Sequence, residues 1–134
     1  MGQAPNSFLD VTVIVETYNL TEGADFDRLR RVLEYVEQLR KQRLGVQTML
    51  ADASEAGQAN DLALARLTLS YPRLRVVRVL GAGYEGVKLA AVEAAATRFI
   101  AYIDSDCLPQ DDGWLDHLLA PLQSGAAEVT AGTT

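Results

Sequence analysis

The sequence predicts an α/β fold in which helices cover both faces of an open, mainly parallel sheet. Apolar, β-branched runs alternate along the chain with segments whose apolar residues recur at three- and four-residue steps. Parallel strands need crossover connections, and this alternation supplies a helix between successive strands. The length of 134 residues suits one domain spanning 1–134. We therefore expect ligands at the carboxyl ends of the strands, where open sheets of this kind bind them.

The first half of the chain contains two strand–helix units. "VTVIV" (11–15) is a continuous β-branched run, typical of a strand buried on both faces. The next segment (26–42) has an apolar stripe at helical spacing, with Arg and Glu between the apolar positions. "VQTMLAD" (46–52) predicts the second strand, and "GQANDLALARLTLS" (57–70) predicts the second helix.

The second half continues the alternation. "LRVVRVL" (74–80) predicts a third strand and "YEGVKLAAVEAAA" (84–96) an alanine-rich helix. "RFIAYID" (98–104) predicts a fourth strand, and a fourth helix is expected to begin near Pro109. "AEVTAG" (127–132) predicts a fifth strand.

Charge and cysteine content restrict the function. The net charge of −6 argues against a nucleic-acid or anionic-membrane surface, because such surfaces need clustered Lys and Arg. The single cysteine, Cys107, excludes an internal disulfide and suits a reducing compartment. The start of the chain does not resemble a signal peptide, and no apolar run approaches the roughly 20 residues of a membrane span. We expect a cytoplasmic protein.

A glycine-rich stretch, "VLGAGYEGVKLAA" (79–91), opens one interpretation of the site. Gly81, Gly83 and Gly86 form G-x-G-x-x-G between a predicted strand and a predicted helix, as in dinucleotide-binding domains. Asp104 ends the next strand, close to the offset of roughly 20 residues expected for the acid that binds a ribose hydroxyl. An NAD(P)- or flavin-binding domain is therefore one alternative. However, such folds normally begin with their glycine loop, whereas two strand–helix units precede it here.

An acidic pair at the end of the predicted fourth strand supports a second interpretation of the site. In "FIAYIDSDCLP" (99–109), Asp104 and Asp106 are two residues apart, and such residues point the same way in extended chain. Two carboxylates facing one crevice repel each other, which favours a cation between them. The alternative is a solvated acidic turn that caps the next helix, with Asp111 and Asp112 nearby.

Three other residues favour ordinary structural roles. His117 lies one step off the apolar stripe of its helix and is expected at the surface. Cys107 is expected to be a buried packing thiol, and Trp114 a core residue.

Four stretches occur in the order typical of one enzyme family. They are "VTVIVETYN", "ADAS", the glycine-rich stretch that leads to Lys88, and "FIAYIDSDCLPQDDGWLDHLLAPL". Together they resemble the nucleotide-sugar-binding N-terminal part of a family 2 glycosyltransferase with the Rossmann-like GT-A fold. The resemblance covers about residues 10–132 and departs from the family pattern twice. Glu16 stands where the family usually has Pro, and Ala51–Asp52 stands where it often has two acids.

The resemblance implies an inverting glycosyltransferase that takes a sugar from a nucleotide-diphospho-sugar, with a UDP-sugar favoured. The acceptor would be a saccharide, a lipid or a protein. It also implies a Mg²⁺ or Mn²⁺ cofactor, with Asp106 as the main metal ligand beside Asp104. Asp104 would also accept hydrogen bonds from the ribose, and Ser105 would contribute at the same turn.

The resemblance also assigns the remaining donor contacts. Thr17 and Tyr18 would line the base pocket, and Asp52 would accept the uracil imide N–H. Lys88 would reach the diphosphate. The alternatives are an ordinary turn at 17–19 and a solvated surface lysine. Glu16 is expected near the base pocket, where its charge affects the nucleotide preference.

Family members carry the general base on a later segment, so the resemblance assigns no catalytic residue within 1–134. We expect this chain to be the donor-binding part of a longer enzyme, inactive by itself. Membrane association through downstream sequence is open. A non-catalytic nucleotide-sugar-binding domain is the alternative from a different functional class.

Overall fold

The computed structural model describes residues 8–18, 20, 23–55, 57–79, 81, 83–105, 107–109, 113–126 and 128. Strands and helices alternate through these residues, as the sequence predicts. In chain order they are β1 (Val11–Thr17), α1 (Gly23–Gln42), β2 (Val46–Asp52), α2 (Gln58–Ser70), β3 (Arg75–Arg78), α3 (Gly83–Ala94), β4 (Phe99–Asp104) and α4 (Trp114–Gln123). The strand predicted at 127–132 lies outside the described residues, apart from Glu128.

The described strands form one parallel sheet with the order β3-β2-β1-β4. This confirms the predicted α/β class. The chain moves outwards from β1 to β2 and β3, and then returns to place β4 on the other side of β1. The strand order therefore reverses between β1 and β4, and ligands of open α/β sheets bind at the carboxyl ends beside such a switch point. There Glu16 of β1 is the register partner of Asp104 of β4.

The continuous apolar character of β1 follows from its central position, since every one of its residues is buried. Alternate residues of β1 face two separate cores. The larger core joins odd-numbered β1 positions to α1 and α4 and includes Val11, Val13, Val15, Leu29, Leu33, Val36, Leu115 and Leu119. The smaller core lies beneath α3 and contains Ile14, Met49, Ala51, Val87 and Ala91.

Most element boundaries lie within three residues of their predictions, and the differences at β3 and α4 have a structural reason. β3 covers Arg75–Arg78 rather than 74–80, because among the described strands it pairs with β2 alone, and β2 ends at Asp52, the partner of Arg78. α4 begins at Trp114 rather than near Pro109, with Gly113 as its N-cap residue and the Gly113 carbonyl accepting the His117 N–H at 3.0 Å.

Ionic contacts between distant segments also hold the layers together. Arg43, just after α1, donates two hydrogen bonds to the Asp116 carboxylate of α4, at 2.9 and 3.0 Å. Each of these side chains is only 11% exposed. The Thr48 hydroxyl of β2 donates to Glu37 Oε1 of α1 at 2.6 Å, and within α1 Arg40 Nε donates to Glu37 Oε2 at 2.8 Å, which holds that carboxylate in position.

Candidate functional site

The carboxyl ends of β1, β2 and β4 meet at one edge of the sheet. The Ala53 N–H donates to the Thr17 carbonyl at 2.8 Å, which joins the segments that follow β1 and β2. The Ser105 N–H donates to the Glu16 carbonyl at 3.1 Å, which joins the ends of β1 and β4. The fold thus brings together the strand-end residues that the sequence predicts to lie at one edge.

Asp52 lies at this edge with no exposed surface. Its Oδ1 accepts a hydrogen bond from the Ser54 N–H at 2.9 Å, and its Oδ2 is 3.4 Å from Arg78 Nε. The Ser54 hydroxyl in turn accepts the Leu20 N–H at 3.2 Å. Asp52 therefore links the segments that follow β1 and β2 to the end of β3.

Arg78 is the counter-ion of Asp52, a role that was not predicted from the sequence. Its guanidinium is 14% exposed, donates to Asp61 Oδ1 at 2.5 Å and donates to the Glu55 carbonyl at 3.2 Å. The available signal was a basic residue near the end of a predicted strand. Recognising it required knowing that β3 pairs with β2, which local sequence does not reveal.

The Glu16 side chain lies on the α3 face of the sheet, where it lines a narrow cleft with Ala51, Ala53, Val87 and Lys88. Glu16 is 7% exposed, and its Oε1 is 3.4 Å from Lys88 Nζ. The reason for this orientation is strand alternation: Ile14 and Glu16 point to the same face, and Ile14 packs beneath α3.

Tyr102 completes the surroundings of Lys88. The Lys88 ammonium lies 4.7 Å from the centroid of the Tyr102 ring, within cation–π range. The Tyr102 hydroxyl donates to the Lys88 carbonyl at 3.3 Å. Burial, followed by the negative charge of Glu16, raises the pKa of the Tyr102 phenol, so this hydroxyl keeps its proton at neutral pH. These contacts hold Lys88 close to the β1 and β4 strand ends.

Asp104 is exposed at the end of β4, with Ser105 half-buried beside it. The Cys107 N–H donates to the Asp104 carbonyl at 3.2 Å, so the chain turns immediately after the strand. Asp106, the predicted main metal ligand, lies outside the described residues.

A cation site receives limited support from the described side chains. Among the residues that the structure describes, no three His, Cys, Asp or Glu side chains are grouped closely enough to hold a metal ion. Asp104 offers an exposed carboxylate beside the switch point, and carboxylate oxygen is the donor that Mg²⁺ and Mn²⁺ prefer. The donor chemistry of Asp104 therefore fits such an ion.

The residues after β1 differ in accessibility. Thr17 is 3% exposed and its carbonyl is engaged by Ala53, whereas Tyr18 is 62% exposed at the bend that follows the strand. Tyr18 therefore presents an accessible aromatic side chain at this edge of the sheet.

The glycine-rich stretch connects β3 to α3. Gly81 and Gly83 adopt φ values of 78° and 71°, in the left-handed region that favours glycine, and α3 begins at Gly83. A Cβ atom at either position would meet nothing within 4 Å. Backbone conformation, rather than close packing, therefore accounts for these two glycines.

The three residues expected to have structural roles give mixed results. His117 is exposed on α4, as predicted. Trp114 packs against the larger core and its Nε1–H donates to the Tyr35 hydroxyl at 2.9 Å, as expected of a core residue. Cys107 is exposed, so the predicted packing role is wrong, because the turn after β4 brings this residue to the surface.

Comparison with known proteins agrees with this architecture. The described helices include none long and apolar enough to cross a membrane. No curated protein matches the chain significantly. The model of the family described as Glycosyl transferase family 2 matches residues 12–134, which is nearly the whole chain. The resemblance on the strand-end motifs is thereby confirmed, and the chain belongs to glycosyl transferase family 2.

Proposed function

We propose that this domain binds a nucleotide-diphospho-sugar, with UDP favoured, at the carboxyl ends of β1, β2 and β4, for inverting transfer of the sugar to an acceptor. Family membership supports glycosyltransferase activity in general. One observation carries the finer proposal: the switch point between β1 and β4 brings Asp104 and Ser105 beside Glu16 and the paired Lys88. That edge offers both carboxylate and ammonium groups to a sugar nucleotide.

The base would bind at the ends of β1 and β2. Thr17, Tyr18 and Asp52 would line this pocket, and Tyr18 is the accessible one of the three. Asp52 Oδ2 accepts no hydrogen bond from the described residues, which supports a role as acceptor for the uracil imide N–H. Since Asp52 has no exposed surface, that contact requires atoms that cover the carboxylate to move.

The ribose and the diphosphate would lie towards β4 and α3. The exposed Asp104 carboxylate would accept hydrogen bonds from ribose hydroxyls, with Ser105 at the same turn. Lys88 of α3, whose side chain is 46% exposed, would donate a hydrogen bond to the diphosphate. This arrangement would orient the donor with its phosphates near the switch point.

The diphosphate is anionic and the chain carries a net charge of −6, which favours a further cation at the donor site. Asp104 and Asp106 would hold Mg²⁺ or Mn²⁺. When bound, the ion would offset the negative charge that develops on the leaving diphosphate. No residue of this chain is assigned as the general base, so the proposal is tested by measuring UDP binding.

A thermal-unfolding experiment tests the proposal. At a UDP concentration of 100 times the dissociation constant, binding stabilises the folded state by about 2.7 kcal/mol. We expect a clear increase in Tm with UDP and Mn²⁺, and little or none with UDP and a chelator. NAD⁺ serves as the probe for a dinucleotide-binding domain, and a shift with NAD⁺ alone would overturn the proposal.

Two substitutions sharpen the experiment. Asp104→Asn and Asp106→Asn should each remove most of the Mn²⁺-dependent shift, since each loses a charged ligand. Asp27→Asn makes the same chemical change at an exposed position of α1 and should leave the shift unchanged. An undiminished Mn²⁺-dependent increase in Tm in both site variants would contradict the assignment of these aspartates to the donor site.

A further inference from the structure

Glu16 and Lys88 form an ion pair that the proposed donor site leaves unexplained. The Glu16 side chain is 6% exposed and that of Lys88 is 46% exposed. The carboxylate is therefore held in place by the fold, while the ammonium can reach solvent or a ligand. With 3.4 Å between Oε1 and Nζ, much of the lysine charge is offset by the glutamate.

The pair lies beside the position proposed for the diphosphate. Glu16 is the register partner of Asp104, and the Ser105 N–H binds the Glu16 carbonyl, so the Glu16 backbone is joined to the end of β4. Three charged groups of this site have been described, namely the carboxylates of Glu16 and Asp104 and the ammonium of Lys88. Their charges sum to a negative value, which disfavours a diphosphate that arrives without a cation.

We propose that Glu16 is a determinant of metal dependence, because it neutralises the lysine that would otherwise attract the diphosphate directly. This inference rests on the proposed function of the site. Removing the Glu16 charge releases the Lys88 charge for the ligand, so the nucleotide binds more tightly without metal. The ratio of affinities with and without the divalent ion becomes smaller.

Titration calorimetry of the full 134-residue chain tests this, with UDP as the probe in Mn²⁺ and in a chelator. We expect Glu16→Gln to strengthen metal-free UDP binding by roughly twofold to fivefold, the upper part of the range for a partly exposed ion pair. The Mn²⁺-to-chelator affinity ratio should fall by the same factor. Glu93→Gln, an equivalent change at an exposed position of α3, should leave that ratio unchanged.

A double variant identifies the route of the effect. In a Lys88→Met background, Glu16→Gln should change metal-free UDP affinity by less than about twofold, because no lysine charge remains to be released. A full effect in that background would overturn the proposed role of Lys88. If Glu16→Gln folds poorly, Glu16→Leu takes its place, because it removes the same charge and lies beside Val87. It should strengthen metal-free UDP binding by the same factor.

The outcomes also separate this inference from the proposed function. A wild-type chain that binds UDP with Mn²⁺, together with an unchanged ratio in both Glu16 variants, overturns the inference and leaves the proposed function standing. A wild-type chain that does not bind UDP with Mn²⁺ overturns both.

Discussion

Asp52 carries its charge inside the protein, with Arg78 as its counter-ion. Ion pairs of this kind add little net stability, since both charges lose hydration. Losing one partner is nevertheless costly, because the remaining charge is buried without compensation. The Asp52–Arg78 pair is therefore more important for the position of the Asp52 carboxylate than for the total stability of the fold.

The first prediction concerns Arg78 itself. We expect Arg78→Met to lower the free energy of unfolding by about 3 kcal/mol, since it leaves the Asp52 carboxylate buried without its cation. Urea unfolding at pH 7 measures the change. Arg75→Met is the matched control on the same strand, where the guanidinium is exposed and donates to the Ala94 carbonyl. Equal losses in the two variants would contradict the assigned role of Arg78.

Residue positions were predictable from the sequence where local pattern determines them. Asp52 and Asp104 end apolar strands, so their place at one edge followed from the alternation of strands and helices. The partners of those residues were not predictable in the same way. Arg78 reaches Asp52 only because β3 pairs with β2, and Lys88 reaches Glu16 only because α3 packs on that face of the sheet.

At the scale of the elements, α4 depends on a contact far along the chain. Arg43 and Asp116 form two hydrogen bonds, and both side chains are largely buried. Trp114, the single tryptophan, lies in the first turn of the same helix and donates to Tyr35 of α1. The fluorescence of Trp114 therefore reports on whether α4 is docked.

The second prediction uses that signal. Asp116→Asn should lower the free energy of unfolding by about 3 kcal/mol, since Arg43 keeps its buried charge without a carboxylate. We also expect Trp114 emission to shift towards longer wavelength at denaturant concentrations below the global transition. Asp27→Asn, at an exposed site of α1, is the control for the change of charge. Unchanged emission with normal stability would show that the pair does not hold α4.

The bounds of the elements were predictable to different degrees. β2 agrees with its prediction at both ends, since Gly45 precedes it and polar residues follow it. β3 is shorter than its apolar run suggests, because an edge strand continues only as far as its partner. The predicted apolar stripe gave the buried face of α1 correctly, since Leu29, Leu33 and Val36 belong to the larger core.

At the scale of the whole molecule, two tyrosines link stability to alkaline pH. Burial raises the pKa of Tyr71, and the neighbouring Glu34 charge adds to the effect. Burial and then the Glu16 charge raise the pKa of Tyr102. Both phenols are thus harder to ionise in the folded state than in the unfolded chain, whose tyrosines have a pKa of about 10.

The third prediction follows from the sign of this linkage. Well below pH 10 the folded and unfolded states both keep the phenol protons, so these two tyrosines contribute no pH dependence to the free energy of unfolding there. Above pH 10 the unfolded chain releases them first, so the free energy of unfolding falls as the pH rises towards the folded pKa values. Urea unfolding between pH 8 and 11 measures the slope. A Tyr71→Phe/Tyr102→Phe variant should lose part of that slope, and an identical slope would contradict the assignment.

The whole-molecule architecture was largely predictable, whereas the strand order was not. The alternation of strands and helices requires parallel pairing but does not say which side of β1 receives β4. That choice creates the switch point beside Glu16 and Asp104, and with it the candidate site. Family resemblance suggested the site, and the sheet order accounts for its position.

The central place of β1 also has a consequence for biosynthesis. β1 leaves the ribosome before every other strand of the described sheet, yet it stays open on one flank until β4 emerges, since Val11 pairs with Phe99. Contacts so distant in sequence form slowly. A nascent chain that has released β1, β2 and β3 therefore exposes the apolar, unpaired flank of β1, and β4, the last strand of the described sheet, closes that flank when it emerges.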